Sequence, residues 1–208
     1  MRIQTQREEF WNTITHGIGA VLGIVGLLLL ILKDTQKTEY SLLSVIIYGA
    51  SIIILFSAST AYHAVKNEKR KHTFRVIDHI SIYLLIAGTY TPVLLITLEQ
   101  SLGWHLFYAV WGIAAFGVVL KLFFTGKFKV FSTLLYLVMG WLIVFDFSKL
   151  KALVPTEGIT LLMLGGAAYT IGIIFYALEK KPFYHVIWHL FVLAGAVFHF
   201  LMIYWFVV

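Results

Sequence analysis

Apolar residues in this chain come in long runs, separated by short polar connectors. A membrane span needs about 20 mostly apolar residues. Seven runs qualify, at roughly 14–32, 42–65, 76–98, 104–124, 130–147, 158–178 and 184–207. The connectors read KDTQKTE, KNEKRKHTFR, LEQSLG, TGKFK, SKLKALVPTE and EKKP, with no room for a second domain. The pattern predicts an all-α integral membrane protein, residues 1–208 forming one bundle of seven transmembrane helices. Met1 to Phe10 reads as a short polar tail rather than a signal peptide, because the first apolar run is long enough to span.

Composition points the same way. Hydrophobic residues make up 60% of the chain and charged residues 12%, and the mean hydropathy is +0.89. A soluble domain could not bury that much apolar surface. There is no cysteine, which removes disulfides, thiolate metal sites and cysteine nucleophiles. The net charge of +6 does not predict nucleic-acid binding, because the basic residues sit in loops between spans.

Those basic residues predict an orientation. Counted on alternate sides, twelve Lys and Arg fall on one side, Arg2, Arg7, Lys66, Lys69, Arg70, Lys71 and Arg75 among them, and four on the other. The positive-inside rule then places the N-terminus in the cytoplasm and the C-terminus outside. The expected location is the cell membrane, as a multi-pass protein.

An ionisable side chain inside a span costs several kcal/mol unless it is paired, hydrated or metal-bound, which makes such residues functional candidates. Most of them gather at the cytoplasmic ends: Glu9, Asn12, Thr15 and His16 on span 1, Ser59 and His63 on span 2, Asp78 and His79 on span 3, His185 and His189 on span 7. His185 and His189 are i and i+4, about 40° apart around a helix and about 6 Å apart along it, a spacing that lets two imidazoles share an ion. A third ligand must come from another helix; His63 lies at the matching depth, with Asp78 across a short connector. Three histidines and an open fourth position are the pattern of a catalytic zinc site. Imidazole also suits copper, iron and nickel, and the competing role for an intramembrane histidine is an interhelical hydrogen bond.

The other polar residues have plainer roles. His199 lies about 21 Å further along span 7 by helix rise and cannot reach the same ion. His72 and His105 are expected to be solvated, and His79 to pack or to support a neighbour. Lys121, near a helix end, is expected to snorkel to the interface. Gly17, Gly19, Gly23 and Gly26, with Gly165 and Gly166, suit close helix packing. Pro92 is expected to kink span 3. Trp104, Trp188 and Trp205, with Tyr40 and Tyr184, suit interfacial belts. The stretch Lys66 to Arg75 reads as a basic loop that sets topology.

Five motifs together carry a resemblance: EFWNTITH (Glu9 to His16), STAYH (Ser59 to His63), DH (Asp78, His79), GTYTP (Gly88 to Pro92) and HVIWH (His185 to His189). In that order on seven spans, they resemble the hemolysin III family of bacterial membrane proteins, related to the progestin and adipoQ receptors and more distantly to alkaline ceramidases. The resemblance implies a zinc ion (Zn2+) near the cytoplasmic leaflet, with His63, His185 and His189 as ligands. It implies that Asp78 contacts or orients the water on that zinc, and that Ser59 helps hold this water or a substrate carbonyl.

The chemistry expected is hydrolysis of a lipid amide or ester, with membrane lipid as substrate or ligand and ceramide-like amides as the family's suggestion. HVIWH lacks the glutamate of HExxH proteases, which excludes that class. The alternative is a non-enzymatic sensor or regulator of lipid or energy homeostasis, with structural zinc tying spans together. A further alternative, cytolysis, is suggested by the family name alone. A retinal-type pump is not supported, because span 7 holds no lysine for a Schiff base.

Overall fold

A computed structural model describes residues 4–208. Arg2, counted above toward the orientation, lies outside them. The described residues form helices and no strand: α1 (Gln6–Lys33), α2 (Ser41–Ala64), α3 (Glu68–Pro92), α4 (Gly103–Phe124), α5 (Lys129–Gly140), α6 (Phe147–Leu153), α7 (Thr156–Ala177) and α8 (Tyr184–Met202). α3 and α8 each run on into a π-helical turn, Val93–Thr97 and Ile203–Val207. Seven helical segments are long and apolar enough to cross a membrane, α5 and α6 together supplying the fifth. Leu32, Phe123 and Val130 are among many large apolar side chains on the outer surface, as expected where the surrounding solvent is hydrocarbon.

Two spans begin earlier than hydropathy suggests, both in polar sequence. α1 starts at Gln6, not near residue 14, so the second half of the expected polar tail is helical. Thr5 caps it: the Thr5 Oγ1 accepts from Glu8 N at 3.3 Å, and Glu8 Oε2 accepts from Thr5 N at 2.9 Å, a capping box. α3 starts at Glu68, capped by Asn67 Oδ1, which accepts from Arg70 N at 3.1 Å. The expected basic loop is therefore mostly the first turns of a helix.

The fifth span is broken. After Gly140 the chain turns through a 3-10 segment, Leu142–Asp146, before α6. Backbone freed by such a break must be satisfied inside the bundle. Tyr90 does part of this, its hydroxyl donating to Gly140 O at 2.9 Å and accepting from Ile143 N at 3.0 Å. Asp146 ties the break to the turn before α4, accepting from Ser101 Oγ and Leu102 N, each at 3.0 Å. At Pro92 the α-helical ladder gives way to the π turn.

α1 packs on α2 and α8, α2 on α3, α3 on α4, and α7 on α8, while α5 and α7 touch at few points. The glycine face of α1 makes the first contact possible. A Cβ on Gly19 would lie 2.5 Å from the Phe56 ring, and one on Gly23 2.7 Å from Ile52. Gly165 is likewise pressed on the His199 ring. Gly166 is not a packing glycine: nothing lies within 4 Å of its Cβ position. Trp188 does not join an interfacial belt but packs on Gly172 and the Tyr176 ring inside the bundle. Trp205 is exposed, and Trp104 stands edge-on to Tyr40 at 4.9 Å.

Candidate metal centre

Three histidines converge at the end of the bundle where α2 finishes and α8 begins. His63 comes from the last turn of α2, and His185 and His189 from successive turns of α8. Their ring centroids form a near-regular triangle: 5.2 Å for His63–His185, 4.9 Å for His63–His189 and 4.7 Å for His185–His189. One nitrogen from each ring lies within 4.8 Å of the others, a grouping that could hold a metal ion.

The hydrogen bonds around the rings decide which nitrogens are free. His63 Nδ1 donates to Glu9 Oε2 at 2.6 Å, leaving Nε2 buried without a partner. His185 Nδ1 is also buried without one. His189 Nδ1 lies 3.5 Å from Thr15 Oγ1. That hydroxyl spends its proton on Trp11 O at 2.8 Å, so it can only accept from His189 Nδ1, which leaves Nε2 as the ring's acceptor nitrogen. Buried imidazole nitrogens without partners are costly. Three imidazoles that bring their nitrogens this close together suit a borderline ion such as zinc, so the residues present fit the expected metal.

α1 organises this triangle. Glu9 bridges His63 to Lys71, whose Nζ lies 2.6 Å from Glu9 Oε1. A carboxylate behind a ligating histidine fixes its tautomer and raises its basicity. Glu8 accepts from Phe183 N at 2.7 Å through Oε1. Phe183 caps α8 with φ of 61°, so this bond pins the start of the helix two residues before His185. His16 stacks flat on His189, centroids 3.6 Å apart, and meets Phe56 edge-on. Asn12, fully buried, donates to Gln4 through Nδ2.

Glu9, Asn12 and His16 were singled out by their depth; their contacts are what the structure adds. Glu8 was not singled out. Its signal was present, since Thr5 followed by Glu8 is the spacing of a capping box.

Asp78 and Ser59 do not join the tight grouping. They line the same cavity. Asp78 Oδ2 lies 3.3 Å from His79 Nδ1, which also donates to Arg75 O at 2.8 Å. The cavity has a volume of about 960 Å³ and reaches from Glu9 and Lys71 at one end to Trp141 and His199 deep in the bundle. His199 itself donates from Nε2 to Leu162 O at 3.2 Å, an interhelical contact as expected. His72 and His105 are exposed. Lys121 departs from expectation: it is only 3% exposed and points into the bundle.

A bundle of seven membrane helices with a histidine triangle at the end of an internal cavity defines a class of integral membrane protein with a potential metal centre. The comparisons give that class a family. Residues 4–200 match the family model described as "Haemolysin-III related". Hemolysin-3 of Bacillus cereus is 45% identical over 194 residues, covering 93% of this chain and 89% of that protein. The Hemolysin-3 homolog of Bacillus subtilis (strain 168) is 45% identical over 193 residues, covering 92% and 91%. The human Monocyte to macrophage differentiation factor is 32% identical over 202 residues, covering 93% and 82%. The chain belongs to the haemolysin-III-related family and is a multi-pass membrane protein, and the resemblance carried by the five motifs is borne out.

Proposed function

We propose that His63, His185 and His189 hold a zinc ion, and that the protein hydrolyses a lipid amide or ester of the ceramide kind. The observation that carries this reading is the placement of the triangle on the wall of the large cavity it shares with Ser59 and Asp78. Beyond them the walls are largely apolar, and the cavity follows the bundle for about 20 Å, the rise between His185 and His199. Gly140 and Gly166 face it from α5 and α7 with no atom within 4 Å of either Cβ position. These helices touch at few points, so a chain can pass between them from the bilayer.

Zinc at this position supplies Lewis-acid polarisation of a carbonyl and a water made acidic near neutral pH. The chain's own residues do the rest. Asp78 keeps Oδ2 toward His79, and Oδ1 accepts a proton from water as it adds to the carbonyl carbon. The same carboxyl returns that proton to the leaving amine or alkoxide as the C–N or C–O bond breaks. Ser59 Oγ donates to the carbonyl oxygen, and Trp188 and Val192 keep bulk water from the lipid chain.

A second reading has its own support. The tight grouping contains no carboxylate, and Asp78 is already paired with His79. A metal there would tie α2 to α8 and serve a membrane sensor or regulator. Asp78→Ala separates the two: zinc content stays near wild type in both readings, whereas release of fatty acid from lipid amides and esters is abolished only in the hydrolase. Failure of zinc-loaded wild type to release fatty acid from such a panel overturns the hydrolase reading. The twelve-to-four distribution of basic residues supports a cell-membrane protein with this end of the bundle in the cytoplasm.

A further inference from the structure

A second, smaller cavity of about 320 Å³ lies beside the first, between α3, the connection from α4 to α5, and the end of α7. Its charged lining is Arg75, Lys121, Lys127, Lys129, Lys180 and a single carboxylate, Glu179. That carboxylate is taken, because Lys129 Nζ lies 2.7 Å from Glu179 Oε1. Lys129 also donates to Tyr176 O at 3.3 Å and sits over the Tyr176 ring.

The remaining cations have no such partner. Lys121 is 3% exposed, and among the described residues no carboxylate or carbonyl accepts from its ammonium. Arg75 Nε is buried without a hydrogen-bond partner. The guanidinium passes over Gly126, whose φ of 87° and missing side chain leave it 3.5 Å of clearance at the Cβ position. Lys127 and Lys180 stand exposed at the rim. Two inward-facing cations without a counter-charge are expensive. The dipole at the C-terminus of α4 offers about half an elementary charge, less than the surplus.

We propose that this cavity is a binding site for a phosphate group, held between Lys121 and Arg75 with Lys127 and Lys180 closing over it. Arginine forks onto phosphate oxygens through paired N–H donors, and lysine supplies a point charge. The site lies among the ends of α3, α4 and α7, where a spanning bundle meets lipid headgroups, and Arg75, His79, Tyr176 and Glu179 border both cavities. The phosphate is therefore that of an anionic lipid headgroup or a free phosphate ion at the membrane surface. Neither source depends on the histidine triangle holding metal.

The test is thermal unfolding of the delipidated full-length protein in detergent. The probes are inorganic phosphate, short-chain phosphatidylglycerol, neutral diacylglycerol and sodium chloride at matched ionic strength. The phosphate-bearing probes are expected to raise the unfolding temperature, and chloride and diacylglycerol are not. Stabilisation by phosphatidylglycerol alone assigns the site to a headgroup; stabilisation by inorganic phosphate as well assigns it to the free anion. In Lys121→Met and Arg75→Gln the midpoint of the titration should move at least about tenfold, the worth of one charged hydrogen bond. Indifference of wild type to every phosphate-bearing probe overturns the proposal, whether or not the variants fold, and so does an unchanged midpoint in folded Lys121→Met.

Discussion

The contact between Glu9 and His63 makes a quantitative claim about the metal centre. In Glu9→Gln the side chain keeps its length and its hydrogen-bond acceptor, but the carboxylate charge behind His63 is lost. The bond at 2.6 Å is charge-assisted, a kind worth about 1.5–3 kcal/mol, against about 0.5–1.5 kcal/mol for a neutral one. The carboxylate keeps about a quarter of its surface open, 23%, which argues for the lower half of that difference, about 1 kcal/mol. Lys71, 2.6 Å from the other oxygen, loses its partner too, and it can turn to solvent at little cost. With little added by Lys71, the lost charge predicts zinc binding about fivefold weaker, just below the usual effect of removing a residue that supports a metal ligand.

The assay is competition for zinc against a chromophoric chelator, on detergent-purified protein, with His63→Ala as the limit of full loss. Glu9→Gln should fall between wild type and that limit, and Lys71→Met close to wild type. If Glu9→Gln binds zinc as tightly as wild type while His63→Ala does not bind it, the carboxylate does not set the basicity of His63. If neither variant differs from wild type, the triangle is not where the metal binds.

Other expectations follow from packing and topology. Gly166→Leu projects into open cavity and should leave the fold and zinc content intact while cutting lipid turnover; Gly165→Leu meets the His199 ring at about 2.2 Å and should cost about 1–3 kcal/mol of stability by overpacking, read as a lower unfolding temperature. Asp146→Ala strands Ser101 Oγ and Leu102 N, and should cost about 2 kcal/mol by the same measurement without changing zinc content. Because the chain has no cysteine, Lys69→Cys and Lys37→Cys report topology directly: an impermeant thiol reagent added to intact cells should label position 37 and not position 69, and the reverse pattern would invert the orientation.

Hydropathy could locate the seven spans because each is long enough to stand out alone. It could place His63 level with His185 and His189 because rise along a helix is fixed once the ends of the spans are known. It could not show which helices are neighbours. α1 packs against α8 from the opposite end of the chain, and that contact puts Glu8 on Phe183 N and Thr15 and His16 on His189. The same limit explains why the first turns of α1 and α3 look like tail and loop in the sequence. Their polar residues lower the local hydropathy, yet Glu8, within the expected tail, is buried. Lys121 shows it most sharply. A lysine near the end of an apolar helix has a cheap route to water, and along the helix nothing distinguishes it from one that takes that route. In the structure Lys121 lines the small cavity beside Arg75, with Gly126 and Lys127 on the same wall. An inward turn that places one unpaired cation beside another is stable only if something outside the helix pattern returns the energy, and an anion between them does so.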